Sequence, residues 1–129
     1  MMEEILTIDV TILDTKEVTG SMRRAACVYF RAVSRGLFCG ETVCDGVDTQ
    51  YSDSDGFRLS ARYLMHGTDM TGRECSLFIE NNGRSLDECR PMIVTDSSAL
   101  SYLETACLIS TVTPTDTGVT VRIFCTADV

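Results

Sequence analysis

Leu6-Thr7-Ile8-Asp9-Val10-Thr11-Ile12 alternates without a break between apolar and polar side chains. Successive side chains leave a β-strand on opposite sides, so this rhythm marks a strand with one face buried and one in water. It returns at residues 57–65, where Phe57, Leu59, Ala61, Tyr63 and Met65 share one face and Arg58, Ser60 and Arg62 the other. Cys75, Leu77 and Ile79 repeat it. Val119, Val121, Ile123 and Cys125 do so again, opposite Thr120, Arg122 and Phe124. Residues 25–33, with Cys27, Val28, Tyr29 and Phe30, are rich in strand-forming types.

Turn-forming groups separate these runs: Thr19-Gly20-Ser21, Ser34-Arg35-Gly36, Asp45-Gly46, Asp53-Ser54-Asp55-Gly56, Thr71-Gly72, Asn82-Gly83 and Asp116-Thr117-Gly118. Glycine accepts the positive φ that tight hairpins need, and a preceding Asp or Asn supports it. Short strands spaced about every 12 residues describe an all-β sandwich or barrel. A barrel also leaves no open edge to aggregate. The expectation is one antiparallel β-barrel of about eight strands spanning residues 1–129. Its core should hold Leu6, Ile8, Val10, Ile12, Leu59, Ala61, Tyr63, Leu77, Ile79, Val121 and Ile123. Residues 84–99, with Pro91 and Thr95-Asp96-Ser97-Ser98, break the rhythm and read as a long connection holding any helical turn. Residues 100–111 then return to strand character.

A chain of 129 residues suits one domain whose core needs neither disulfide nor metal. The N-terminal Met1-Met2-Glu3-Glu4 is acidic where a secretory leader is basic. No apolar run reaches the roughly 20 residues that span a bilayer. The seven cysteines, an odd number scattered through β-like segments, read as reduced thiols packed as small apolar groups. Together these features predict a cytoplasmic protein. A net charge of −8 argues against a nucleic-acid partner and against an anionic membrane surface, since both reward clustered Lys and Arg. A homo-oligomer is left open.

Several chemistries are excluded. His66 is the only histidine, which removes multi-histidine metal sites, and it reads as a turn or rim residue or as a lone acid/base. Asp53-Ser54-Asp55-Gly56 fails as a calcium loop. Aligning Gly56 with the EF-hand glycine puts Tyr51 at the first ligand position and Arg62 at the last, where Glu is required. The closest cysteine pair, Cys39 and Cys44, has no second pair to complete a zinc site. No metal and no cofactor are expected. The polar candidates that remain are Asp48, Arg62, Asp69, Glu80, Asn81 and Glu104. In a strand, Glu104 would share a face with Leu100, Tyr102, Ala106 and Leu108, so an inward Glu104 needs a cation. Arg62 is the candidate for it.

Residues 36–83 carry a further pattern. Gly36-Leu37-Phe38-Cys39-Gly40 leads to Val43, Gly46 and Asp48, then to Asp55-Gly56 and Leu59-Ser60-Ala61-Arg62-Tyr63. Thr68-Asp69, Gly72 and Phe78-Ile79-Glu80-Asn81-Asn82-Gly83 complete it. In order and spacing this segment resembles the domain-of-unknown-function 3237 family. Thr49 stands where that family often has an aromatic residue, and its later Trp-Leu-Asn stretch is absent. The resemblance implies a lipocalin-like, calycin-type barrel with an interior cavity.

The expected function is therefore the holding of a small apolar or aromatic metabolite in that cavity, with Asp48, Arg62, Asn81 and Glu104 as ligand-binding residues. The alternative is a cofactor-independent isomerase or lyase, in which Asp48 or Glu104 moves a proton beside an Arg62 or Asn81 anchor. Arg62 and Glu104 are expected to approach each other across the barrel.

Overall fold

The computed structural model describes residues 2–126, and these form nine strands in one antiparallel sheet that closes on itself. The strands are β1 (Met2–Thr19), β2 (Arg24–Gly36), β3 (Phe38–Thr42), β4 (Gly46–Asp53), β5 (Gly56–Asp69), β6 (Glu74–Gly83), β7 (Cys89–Thr95), β8 (Leu108–Pro114) and β9 (Gly118–Thr126). A 3-10 turn, Ser101–Glu104, lies between β7 and β8. The short strands β3 and β4 share one place in the ring. Both lie between β2 and β5, β3 against Met65–Asp69 and β4 against Gly56–Arg62. Closure comes from β1, which pairs with β2 along one edge and with β9 along the other.

The alternating runs face inward as their sequence requires. Leu6, Ile8, Tyr63, Leu77, Ile79, Val121 and Ile123 are buried. Ile12 is 42% exposed, because it lies near an open end of the barrel rather than at mid-height. Leu13 is an extra residue in β1, where the register against β2 shifts between Ile12 and Asp14. Such a bulge reverses the phase of the strand beyond it and so turns Thr15 inward opposite Val28.

One end of the barrel is plugged. Leu100 and Leu103 are fully buried and lie three residues apart, on one side of the three-residue turn. Burying each contributes roughly 1.5–3 kcal/mol. Ser97 Oγ accepts the Leu100 amide at 3.1 Å and donates to Asp69 Oδ2 at 2.7 Å. Asp69 Oδ1 also accepts the Thr71 amide at 2.8 Å and the Thr71 hydroxyl at 2.6 Å. The carboxylate therefore ties the β5–β6 turn to the plug.

Two expectations need correction. Residues 84–99 are not one long connection, because they contain β7, and the helical turn falls at 101–104, in the stretch read as strand. The β7 rhythm is masked because Pro91 faces inward with Cys89 and Ile93, while the apolar Met92 and Val94 face out. Pro91 is accommodated because β7 pairs with β6 along its whole length but, among the described residues, meets β8 only at Cys89–Ser110.

The hydrogen bonds to Asp69, Thr71 and Ser97 first among them, hold its carboxyl at about 2, below the ordinary 3.8. A lowered folded-state value stabilises the fold above the unfolded value, and that stability is lost as pH falls from about 4 toward 2. Asp69→Asn should lower the melting temperature at pH 7 and leave it nearly unchanged at pH 2, as thermal unfolding followed by circular dichroism across that range will show.

Candidate functional site

The end of the barrel opposite the plug opens into a cavity of about 290 Å³. Its walls are mostly apolar: Val10, Val28, Phe30, Leu59, Val112, Val119 and Val121 line it, with Leu86 at the opening. Phe30 and Tyr63 meet edge to face at its wall, ring centroids 5.2 Å apart at 77°. Gly46 makes that contact possible. A Cβ there would lie 2.5 Å from the Phe30 ring and 2.9 Å from Tyr63 Cβ.

Strand register sets the polar groups. Val28 pairs with Asp48, Asp48 with Ala61, Ala61 with Asn81, and Asn81 with Pro91, so these residues form one row across β2, β4, β5, β6 and β7. Asp48, Ala61 and Asn81 all line the cavity. Asp48 and Asn81 are thus separated by a single strand, roughly 10 Å between Cα atoms. The residue between them is alanine, and its small side chain leaves the space open.

Asp48 is held by Gln50, whose Nε2 donates to Oδ2 at 3.0 Å. Burial pushes its carboxyl above the ordinary 3.8, an effect that the Gln50 side chain and the Ser60 backbone amide only partly offset. Asn81 is 3% exposed, and its Nδ2 donates to Ser110 Oγ at 2.9 Å. Cys89, paired with Ser110 across β7 and β8, donates its thiol proton to the Ser85 carbonyl at 3.2 Å. Among the described residues, neither Asp48 Oδ1 nor Asn81 Oδ1 has a hydrogen-bond partner. Burial also raises the Tyr63 phenol, which therefore stays protonated at neutral pH.

Of the four residues expected at the site, the structure brings together Asp48 and Asn81. Arg62 and Glu104 lie elsewhere, and their expected approach is corrected. Arg62 points outward on β5 and pairs with Glu80, directly across on β6, at 3.1 Å. Glu104 is exposed on the 3-10 turn and accepts the Thr95 amide at 3.1 Å, which fastens the plug to the end of β7. His66 sits outside the barrel against Ser76 at 3.1 Å. Among the described residues no group of three or more His, Cys, Asp or Glu side chains could hold a metal ion. Nor is any helix among the described residues long and apolar enough to cross a membrane. All seven cysteines are free thiols.

Gln50 and Ser110 did not stand out in the sequence. The signal for Gln50 was its spacing of two from Asp48 on a segment framed by Asp45-Gly46 and Asp53-Ser54-Asp55-Gly56.

No protein-family model matches the chain, and no curated protein matches it. Solved structures do. A protein of unknown function from Clostridium acetobutylicum superposes with a TM-score of 0.78 and 19% identity, over 98% of this chain and 99% of that one. A beta-barrel like protein from Acinetobacter baumannii gives 0.77 and 15% over 97% and 94%. What they share with this chain is the barrel. An enzyme from Penicillium herquei has the same fold, with a TM-score of 0.76 and 15% identity over 98% and 94% of the two chains.

A buried carboxylate with a raised folded-state value destabilises the fold as pH rises from its unfolded value to its folded one, and that penalty stays constant above. Asp48→Asn should therefore raise the melting temperature at pH 7. The gain should disappear at pH 3, where the aspartate is protonated in both states.

Proposed function

We propose that this protein binds a small, predominantly apolar metabolite inside the barrel, and that Asp48, Gln50 and Asn81 orient it. The observation that carries this reading is the cavity itself: apolar walls, one open end and a few convergent polar groups. That composition is the usual make-up of a small-molecule site. The segment at residues 36–83 that resembles the domain-of-unknown-function 3237 family fits the same reading, since Asp48, Ala61 and Asn81 all fall inside it.

Naphthalene is a suitable first probe, being apolar and smaller than the cavity. On titration it should shift the methyl resonances of Val28, Val112 and Val121. Shifts confined to Arg84 and Arg90, on the outer wall near the same end, would place binding outside the barrel and overturn this reading.

A second reading is acid/base catalysis without a cofactor, favoured by the raised carboxyl of Asp48 beside an apolar chamber. A carboxylate so placed is a stronger base than one in water and sits beside the bound molecule. The similar Penicillium herquei protein is described as an enzyme. With 2-tetralone as a bound carbon acid in deuterated water, the protein should speed deuterium uptake at carbon. The rate should rise with pH as Asp48 loses its proton, and Asp48→Asn should abolish it. Uptake at the background rate, with 2-tetralone shown to occupy the cavity, would leave the protein a binder.

A further inference from the structure

Asp48 and Asn81 offer the cavity the same thing from two sides. Asn81, whose side chain lines the cavity, commits one amide N–H to Ser110, and its amide oxygen has no partner among the described residues. Gln50 occupies one oxygen of Asp48 and leaves the other. The result is two buried acceptors on β4 and β6, with Ala61 of β5 between them. A buried acceptor left without a donor costs free energy, and native proteins rarely tolerate one without a reason. Two in the same chamber, on opposite sides of one small residue, make a matched pair.

We propose that the ligand is a neutral compound carrying two hydrogen-bond donors on opposite edges of an otherwise apolar body, such as a bicyclic diol. This deepens the binding reading given above and rests on it. A hydroxyl at one edge donates to Asp48 Oδ1, and a hydroxyl at the other donates to Asn81 Oδ1. A carboxylate ligand is disfavoured twice, because it brings only acceptors and because it would sit beside the Asp48 charge. An ether or ketone of the same shape fits the walls but leaves both acceptors unpaired. Sites built to pair a substrate hydroxyl reject the analogue that lacks it.

The test uses three probes of one shape: 2,7-dihydroxynaphthalene, 2,7-dimethoxynaphthalene and naphthalene. Binding is measured by calorimetric titration of the full chain and of two variants. Asp48→Leu removes one acceptor. Ala61→Phe fills the space between the two. The diol should bind at least about tenfold more tightly than its dimethyl ether, as expected for even one hydrogen bond to a buried acceptor. Asp48→Leu should shrink that preference several-fold while naphthalene binding persists, and Ala61→Phe should abolish binding of all three. Should Asp48→Leu fail to fold, the diol-to-ether ratio in the unaltered protein still decides. If all three probes bind alike and all are lost in Ala61→Phe, the chamber holds ligands but the two-donor inference is overturned. If no probe binds, or binding survives Ala61→Phe, the cavity reading falls and this inference falls with it.

Discussion

Closure of the sheet through β1 is the constraint on which everything else depends. Its residues 6–19 pair with β2 and its residues 2–11 with β9, so β1 joins the first and last parts of the sheet into one ring. Once the ring is closed, inward and outward faces are assigned for every strand at once, because a slip of one residue would turn a whole strand's apolar set into water. The register that places Asp48 level with Asn81 across Ala61 is a consequence of that closure. So is the chamber. The plug of Leu100 and Leu103 fills one end, and the apolar side chains thin out toward the other, where the bulge at Leu13 turns Thr15 inward.

The fold was legible wherever the buried face is apolar. β1, β5, β6 and β9 alternate cleanly, and most of the turn groups fall at hairpins, whereas Asn82-Gly83 is the paired end of β6 and Asp45-Gly46 joins β3 to β4, which do not pair with each other. The rest was hidden for identifiable reasons. Residues 47–52 do not alternate in hydropathy because the inward side chains, Asp48 and Gln50, are themselves polar where they line the cavity. The feature that makes β4 useful is the one that conceals it as a strand. In β7 both faces are largely apolar and a proline sits inside, so its rhythm is flattened. Residues 100–104 looked like strand because Leu100, Tyr102 and Glu104 share a parity, whereas the burial that matters there, Leu100 with Leu103, has a period of three.

The candidate site was half legible. Asn81 continues the inward parity of Cys75, Leu77 and Ile79, and Asp48 belongs to the segment that carries the family resemblance. Arg62 shares parity with Arg58 and Ser60, the outward set, so its own strand already denied it an inward place. Its expected inward place rests on the family-like segment, on a role as substrate anchor and on neutralising a Glu104 on a strand that the structure does not form. What no local pattern discloses is the hydrogen bond between Asn81 and Ser110, which are 29 residues apart in sequence and meet only because the ring closes.

Ala61 separates two properties that proteins often have to trade. Its backbone is locked by pairing to β4 on one side and β6 on the other, so the strand around it does not depend on the side chain it carries. Its methyl group packs against the edge of the core and lines the cavity. A larger residue there would narrow the chamber while leaving the staves, the plug and the closing seam as they are. The volume of the chamber is thus adjustable, in evolution or by design, through one position on which the wall itself does not depend.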